Sequence, residues 1–307
     1  MAIPFVRELT FSYGEAAPVT PQIRRVVANN PGPFTYFGTG SYIIGKGKVA
    51  IVDPGPDDKT HIDALLNAVR HETVTHILIT HTHRDHSPGA KALKAATGAT
   101  TYGYGPHPVR EGSPQVEEGG DHDFKPDVIL RDGDVVTGEG WTADAVYTPG
   151  HLSNHICFGV REDKALLSGD HVMGWSTTVI SPPDGDMKSY MASLDKLLTR
   201  DDRLLIPTHG AEIKDPKSFV RAYAEHRRDR ERQILKCLAD GIERIPEMVK
   251  RLYVGVDPRL HGAAGRSVLA HLIHLIELGQ VETDQAEVDP ANVGGLPDTG
   301  ARFKLTS

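Results

Sequence analysis

The sequence has little cysteine and no long hydrophobic run. Two of its 307 residues are cysteine, Cys157 and Cys237, too few for the disulfide framework of a small secreted protein. No stretch reaches the ~20 apolar residues that span a bilayer, and the first ten residues, MAIPFVRELT, lack the basic and apolar regions of a secretory signal. These absences predict a soluble, cytoplasmic protein without a membrane partner, in which both cysteines are small buried thiols.

Positive charge is also scarce. Lys and Arg number 34 against 41 Asp and Glu, which gives a formal net charge of −7. Phosphate binding by a whole surface favours the opposite balance, so only a local basic face remains as a nucleic-acid surface. The hydrophobic share of 39% is typical of a folded protein and excludes wholesale disorder, collagen and coiled coil. At ~150 residues per domain, the length predicts about two domains.

Strand patterns alternate with helical patterns in the first two thirds of the chain. The runs SYIIG and KVAIVD predict a β-hairpin at residues 41–45 and 48–53. Further strands are predicted at 74–80, 141–147, 155–160, 165–167 and 204–206, and helices at 61–70, 90–97 and 189–198. Ser87, Pro88 and Gly98 are predicted as N-cap, first position and C-cap of the second helix. Residues 102–123, rich in Gly, Pro and acidic groups, predict a long surface loop.

The pattern changes after residue 213, where strand-like alternation stops. Helices are predicted at 216–238, 246–252 and 267–278, followed by a tail with Val281 and Glu282, a layout similar to a winged helix. We therefore expect a catalytic domain over 1–213 and a small, mainly α, winged-helix-like domain over 214–307. Residues 214–266 hold 13 Lys and Arg against 8 Asp and Glu, but the run EHRRDRERQ alternates in sign, which favours a solvated helix face. Winged helices bind nucleic acid in some proteins and pack or dimerise in others, so the layout alone does not decide function.

Histidine is abundant and clustered. Of 16 histidines, five lie within residues 71–86. The motif HTHRDH at 81–86 lies between a predicted strand and a predicted helix, where layered α/β proteins often place ligand sites. In an extended chain His81 and His83 point to the same face and could converge on one metal ion. Asp85 and His86, where the chain turns, are free to face a second ion.

Three later fragments have chemistry that could complete such a site. They are TPGH ending at His151, SGD ending at Asp170 and PTHG containing His209, and each follows a predicted strand. Any one of these histidines alone is typical of a surface or core position. Five His and two Asp at four strand ends, however, indicate a metal centre, since imidazole suits zinc and iron and a carboxylate adds a hard ligand.

This series, HxHxDH followed by isolated His, Asp and His, resembles the signature of the metallo-β-lactamase superfamily over residues 35–213. The resemblance implies an α/β fold, a four-layer αβ/βα sandwich with a dinuclear metal site on one edge. It implies one metal held by His81, His83 and His151, a second held by Asp85, His86 and His209, and Asp170 bridging both. Two zinc ions per chain are expected, with iron or manganese also compatible. Asp53 matches the family's first motif and would support the ligands from outside, although a turn-initiating Asp is the alternative.

The resemblance extends beyond the metal motifs. Over SYMASLDKLL, IPTHG, EHRRDRERQIL and the terminal helices, the chain is similar to the β-lactamase-like endoribonuclease group, in which a winged-helix domain follows the catalytic one. β-Lactamase activity is not expected, because true β-lactamases of this fold lack the bridging carboxylate that Asp170 supplies. The main hypothesis is a dinuclear hydrolase that attacks a small ester, thioester or lactone with a metal-bridging hydroxide, which Asp85 would orient and deprotonate. A small molecule is then the principal partner.

Two alternatives remain. A single-strand-specific endoribonuclease, with single-stranded RNA as partner, is supported by the domain order and the basic surplus after residue 213. An iron-dependent oxidoreductase would use the same ligands. Arg84 could contact an anionic substrate, His171 could support a ligand and Tyr190 could approach the pocket, but exposed or packing roles suit all three equally. The oligomeric state is left open.

Overall fold

The computed structural model describes residues 2–108, 119–285 and 298–306. Within them, the first sheet has seven strands that lie side by side in chain order. They are β1 (Ala17–Pro18), β2 (Ile23–Val27), β3 (Gly40–Ile44), β4 (Lys48–Val52), β5 (Thr73–Leu78), β6 (Thr100–Gly103) and β7 (Val128–Ile129). The predicted hairpin is confirmed as the antiparallel pair β3 and β4, and β4 to β7 run parallel.

The second sheet has five strands in the described residues, in the order β12, β11, β10, β9, β8. They are β8 (Val135–Gly138), β9 (Trp141–Tyr147), β10 (Ile156–Val160), β11 (Ala165–Gly169) and β12 (Leu204–Pro207). The four strands predicted in this region are confirmed: β9 has the predicted bounds, and the other three differ from the prediction by one or two residues. β11 and β12 are parallel and are connected by helix α3 (Met187–Thr199), which covers the predicted helix at 189–198.

The two sheets pack face to face, with helices on both outer sides. Tyr42 and Ile44 of the first sheet and Phe158 of the second share one core between the sheets. Alternate residues of the first sheet, such as Ile43, contact α1 (Lys59–Ala68) and α2 (Gly89–Thr97) instead. Because both faces of the strands are covered, β3 and β10 are buried along their whole length, as expected for inner strands of a layered fold.

The C-terminal part contains three further helices and a two-stranded sheet. These are α4 (Pro216–Ala239), α5 (Ile245–Leu252), α6 (His261–Glu277), β13 (Val281–Thr283) and β14 (Phe303–Leu305), with a short 3-10 helix at Pro258–Leu260. The first half of α4 packs against α3 through Phe219 and Tyr223, and its second half enters a separate C-terminal core through Ile234 and Cys237. The predicted division at residue 214 stays a prediction, and α4 connects the two cores.

Several local predictions need correction. Ser87 does not cap α2: the N-cap is Pro88, and the Ser87 hydroxyl donates instead to Asp121, 2.6 Å away. Gly98 is the left-handed C-cap as predicted. α6 begins at His261 rather than at residue 267, and β14 was not predicted. Of the predicted loop at 102–123, residues 109–118 lie outside the described part.

Both cysteines are buried and unpaired, as predicted. Among the described helices, none combines the length and the apolar character needed to cross a membrane.

Candidate metal centre

The HTHRDH motif occupies the loop between β5 and α2, and its position is fixed by a neighbouring turn. After β4 the chain turns at Asp53, whose φ of 46° is left-handed, and continues through Pro54 and Gly55. The Gly55 amide donates to the His86 carbonyl at 3.1 Å, and the Gly89 amide donates to the Gly55 carbonyl at 3.0 Å. A Cβ on Gly89 would lie 2.6 Å from the Pro54 carbonyl oxygen, so this close approach requires glycine.

The three histidines predicted for one metal come together. Nε2 of His81 lies 2.9 Å from Nδ1 of His83, and Nε2 of His151 lies 3.1 Å from the same atom. Nitrogen ligands at ~2.0 Å from a tetrahedral zinc ion are about 3.3 Å apart, so this spacing suits ligands around one cation. All three imidazoles are buried.

The second predicted set also converges. Oδ2 of Asp85 lies 3.1 Å from Nε2 of His209 and 3.4 Å from Nε2 of His86. Oδ2 of Asp170 lies 3.6 Å from Nε2 of His86, 3.5 Å from Nε2 of His209 and 3.9 Å from Nε2 of His151. Asp170 therefore lies between the two sets, and all seven sequence-predicted donors form one cluster.

The donor set fits metal ions. Groups of three donor atoms lie within 4.8 Å of one another in three combinations. These are His81, His83 and His151; His81, His86 and Asp170; and Asp85, His86 and His209. Nε2 of His86 and Oδ1 of Asp170 are buried without a hydrogen-bond partner, an arrangement that costs free energy unless another group, such as a cation, satisfies them.

The electrostatics of the cluster also favour a cation. Burial lowers the pKa of His81, His83 and His151, so these imidazoles are neutral and able to bind a metal. Burial would raise the pKa of Asp85, but the charges of His86 and His209 outweigh it and hold that pKa well below its usual value. Metal ions that replace the protons on the two histidines would supply the positive charge that the carboxylates need.

The carboxylates act on the histidines in return. Burial would lower the pKa of His209, but Asp170 and Asp85 raise it to about 10. The pKa of His86 is raised well above its usual value in the same way, since Asp85, Asp170 and Asp53 outweigh the effect of burial.

Hydrogen bonds behind the cluster orient the histidines. Nδ1 of His86 donates to Oδ2 of Asp53 across 3.0 Å, as expected for a residue that supports a ligand, and Asp53 also accepts from the amide and the hydroxyl of Thr80. Nδ1 of His151 donates to the Val179 carbonyl at 2.7 Å, and Nδ1 of His209 to the Gly38 carbonyl at 3.1 Å. In each case Nε2 is the nitrogen that faces the cluster.

Some supporting residues were not predicted. Nε2 of His155 accepts from the Asp170 amide at 3.2 Å, and the Thr178 hydroxyl donates to the Asp170 carbonyl at 2.7 Å. Arg227 of α4 in turn donates to the Thr178 carbonyl. His155 is the first residue of a predicted strand, and a strand pattern does not indicate a hydrogen bond to Asp170. The hydrogen bond from Arg227 to Thr178 joins residues that are 49 positions apart in sequence.

The structure places the three residues whose roles the sequence did not decide in different environments. Arg84 is exposed and lines a cavity in front of the cluster. Tyr190 is buried in α3 and its hydroxyl donates to the His171 carbonyl at 2.7 Å, which is a packing role. His171 is buried, and neither ring nitrogen has a hydrogen-bond partner.

The cluster opens into a cavity of about 560 Å³, a volume typical of small-molecule sites. Its inner end is formed by four of the seven donors, which are Asp85, His151, Asp170 and His209.

Comparisons with known proteins agree with this geometry. Residues 35–209 match the model of the metallo-beta-lactamase superfamily, and residues 245–288 match that of the beta-lactamase associated winged helix domain. The chain is 29% identical to lactamase-like protein adaB of Aspergillus niger over 81% of this chain and 78% of that protein. It is 32% identical to an atrochrysone carboxyl ACP thioesterase of Claviceps purpurea over 72% of this chain and 66% of that protein. A solved metallo-beta-lactamase family protein of Thermus thermophilus superposes with a TM-score of 0.74 and 22% identity, covering 94% of this chain and 100% of the other.

Proposed function

We propose, since this chain belongs to the metallo-beta-lactamase superfamily, that it is a dinuclear metal-dependent hydrolase that cleaves thioesters. The family, the layered sandwich and the C-terminal winged-helix domain predicted from the sequence are confirmed. The observation that carries the proposal is the cluster of seven metal donors at the inner end of a cavity of small-molecule size. Among esters, thioesters and lactones, the thioester is favoured because a relative that aligns over 72% of this chain bears the name of a thioesterase.

The proposed ligand assignment follows the two convergent sets. His81, His83 and His151 would hold one zinc ion, Asp85, His86 and His209 a second, and Asp170 would contact both. Bound metal ions of this kind lower the pKa of water and polarise a carbonyl group, so that hydrolysis proceeds at neutral pH.

Asp85 is proposed as the residue that handles the proton. Its side chain is 18% exposed, whereas that of His86 is fully buried, so the carboxylate can be reached from the cavity. The Thr39 hydroxyl donates to Oδ2 of Asp85 at 3.1 Å and holds it in place. Asp85 would accept the proton of the attacking water and pass it to the departing sulfur. In the overall reaction a C–O bond forms, the C–S bond breaks, and the products are a thiol and a carboxylate with release of one proton.

The environments of the nearby hydroxyls and thiol favour direct attack by water over formation of an acyl-enzyme. The Ser168 hydroxyl is buried and donates to the Val172 carbonyl at 2.9 Å, and that of Ser87 donates to Asp121. Burial raises the pKa of Cys157 to about 12, which keeps this thiol protonated and unreactive at neutral pH. A covalent nucleophile is therefore not part of the proposal.

The test is the double substitution His83→Ala with Asp170→Ala, which removes a donor from one set and the shared carboxylate. We expect loss of bound metal by mass spectrometry and loss of thioester turnover by thiol release, with the circular dichroism spectrum retained. The matched control is His71→Ala with Asp63→Ala, the same change of residue types at exposed positions outside the cluster.

Three results would contradict the proposal. They are full turnover in the cluster variant, cleavage of single-stranded RNA by the wild-type protein without thioester turnover, and bound iron with neither activity.

A further inference from the structure

The described walls of the cavity carry positive charge away from the metal centre. Among the described residues that line it, the acidic groups are Asp85 and Asp170, both proposed metal ligands. Four arginines line the same cavity, namely Arg7, Arg84, Arg227 and Arg230. Ion pairs with described carboxylates are absent for all four, within 4.0 Å. A cavity with this charge distribution attracts an anion.

Helix α4 separates its arginines into two faces. On the outer face, Arg228 and Arg232 are exposed and pair with Glu225, at 3.9 Å and 2.7 Å. Arg227 and Arg230 are three residues apart and so share the face that lines the cavity. The run EHRRDRERQ was predicted to be a solvated face, and this holds for the outer side only, because its inner side borders the cavity.

The two inner arginines differ in what they can bind. Arg227 is 4% exposed, donates to the Thr178 carbonyl and lies over the Tyr190 ring, so its role is to position the loop that carries Asp170. Arg230 is partly exposed, and its guanidinium lies 4.3 Å from the centre of the Tyr253 ring. Its Nη1 donates to the Leu252 carbonyl at 3.2 Å and to Gln233 at 3.1 Å.

The remaining donors of Arg230 are available. Its Nε and Nη2 make no hydrogen bond to the described part of the chain. The stacking on Tyr253 and the two bonds of Nη1 hold the planar group in one orientation, so little entropy is lost when an oxyanion binds to it. Phosphates and carboxylates match the fork of N–H groups that a guanidinium presents.

Apolar side chains line the remainder of the cavity. They come from both parts of the protein and include Met173, Trp175, Val179, Val256, Leu260 and Ala263. A ligand that reaches both the metal centre and Arg230 would therefore pass apolar surface contributed by the C-terminal helices.

We infer that the substrate is an amphiphilic thioester with a phosphate or carboxylate group remote from the reacting carbonyl, and that Arg230, stacked on Tyr253, binds this group. The inference rests on the proposed thioester hydrolysis and names the substrate class of that site. It also gives the C-terminal winged-helix domain a role in substrate recognition, since Tyr253, Val256 and Leu260 lie within residues 245–288 and Arg230 lies in α4, the helix that leads into that domain.

The test compares thioesters of one acyl group on different thiols. N-acetylcysteamine supplies a neutral thiol, 4′-phosphopantetheine supplies a phosphate and glutathione supplies carboxylates. In Arg230→Met we expect KM for one of the anionic thioesters to rise about 10- to 100-fold with kcat within about threefold, as for a lost charged hydrogen bond. Turnover of the neutral thioester should not change. The anionic substrate that responds identifies the group that binds.

Matched variants and a binding measurement complete the test. Arg228→Met, one residue from Arg227 but on the outer face, should behave as wild type, and Arg230→Lys should restore part of the lost affinity. Calorimetry with the non-hydrolysable thioether of each anionic ligand reports on Arg230 independently of turnover.

The outcomes separate the inference from the proposed function. Equal KM values for Arg230→Met and wild type on every thioester would overturn the inference and leave thioester hydrolysis intact. Absence of turnover on all thioesters would overturn the proposed function, while Arg230-dependent thioether binding would still support the anion site. Arg230-dependent, salt-sensitive binding of single-stranded RNA, with no thioether binding and no thioester turnover, would overturn both.

Discussion

Asp53 accepts a hydrogen bond from Nδ1 of His86 across 3.0 Å, and this contact determines which nitrogen of His86 faces the donor cluster. The same carboxylate oxygen accepts from the Thr80 hydroxyl at 2.6 Å, while the other accepts from the Thr80 amide at 2.8 Å. The Thr208 hydroxyl also donates to Oδ2, at 3.4 Å, so the Asp53 carboxylate accepts four hydrogen bonds and is held in place from several sides. The proton of His86 is thereby held on Nδ1, and Nε2 is free for a metal ion.

The substitution Asp53→Asn tests this relationship. Asparagine tolerates the left-handed φ of 46° at this position, so the backbone need not change. Its NH₂ group, however, would either oppose the N–H donor of the Thr80 amide or face Nδ1 of His86, and in the second case the imidazole would have to shift its proton to Nε2. We expect metal affinity to fall about 10- to 100-fold, measured by competition with a chelating dye.

The control for this prediction is Asp63→Asn, an exposed carboxylate on α1 that pairs with Lys59. It should leave metal affinity unchanged. Unchanged metal affinity in Asp53→Asn would show that Asp53 only initiates the turn, which is the alternative left open by the sequence.

The sequence predicted the donor cluster because each donor has a local signature. His81 and His83 alternate after a strand, and His151 and His209 each lie in a Gly- and Pro-flanked turn that follows a strand. Turn chemistry and strand periodicity are short-range features, and a layered sheet brings strand ends to one edge. The same features predicted most strands and helices within a few residues.

Long-range contacts could not be predicted in this way. Serine is a common N-cap residue, but the Ser87 hydroxyl donates to Asp121, which is distant in sequence. Arg230 belongs to a run with alternating charge, and only the packing of α4 against α6 and the sandwich decides that it faces the cavity. β14 follows a segment of twelve residues outside the described part, and its three residues carry too little pattern to predict a strand.

Removal of the metal ions should destabilise the protein without unfolding it at room temperature. Ions at about 1,000 times their dissociation constant stabilise the folded state by about 4 kcal/mol, which corresponds to a shift in Tm of about 6 °C for a chain of this size. We therefore expect the midpoint of thermal unfolding to fall by about that amount in excess chelator and to recover when zinc is restored. The variant with His83→Ala and Asp170→Ala should show no response to chelator. An identical Tm for wild-type protein whose metal has demonstrably been removed would contradict the prediction.

Gly150 should not tolerate a side chain. Its φ is 135°, and a Cβ there would lie 2.4 Å from Cα of Tyr190, a backbone atom of α3 that cannot move aside easily. Gly150→Ala is expected to lower the free energy of unfolding by about 2–4 kcal/mol through strain and overlap, and to weaken metal binding by shifting His151. Denaturant unfolding and metal titration measure the two effects.

Gly140 provides the matched control for this substitution. Its φ of 76° is also positive, but a Cβ there would meet nothing within 4 Å. Gly140→Ala should therefore cost only the backbone strain, about 1 kcal/mol, and leave metal binding unchanged. Equal losses of stability in the two variants would show that the approach of Tyr190 does not matter.

Glu231 should stabilise the C-terminal helices in a pH-dependent way. Burial would raise its pKa, but hydrogen bonds from His271 and His274, at 3.3 and 2.8 Å, outweigh that effect and lower the pKa of Glu231 to about 2. A carboxylate whose pKa is lowered by folding contributes stability above its unfolded pKa, near 4.5, and that stability is lost as pH falls toward 2. The hydrogen bond to Glu231 raises the pKa of His274. The stability that His274 contributes is therefore present below its usual pKa of 6.5 and is lost as pH rises.

Glu231→Gln should therefore lower the free energy of unfolding by about 1–3 kcal/mol at pH 5–6, and the difference from wild type should shrink as pH falls below 4.5. Both proteins are compared in excess chelator, so that release of metal ions in acid does not contribute. Glu225→Gln, a change on the outer face of α4 at a residue paired with Arg232 at 2.7 Å, should leave the free energy of unfolding nearly unchanged at every pH. A loss for Glu231→Gln that stays constant from pH 6 to pH 3 would mean that the side chain stabilises the helices by packing rather than by its charge.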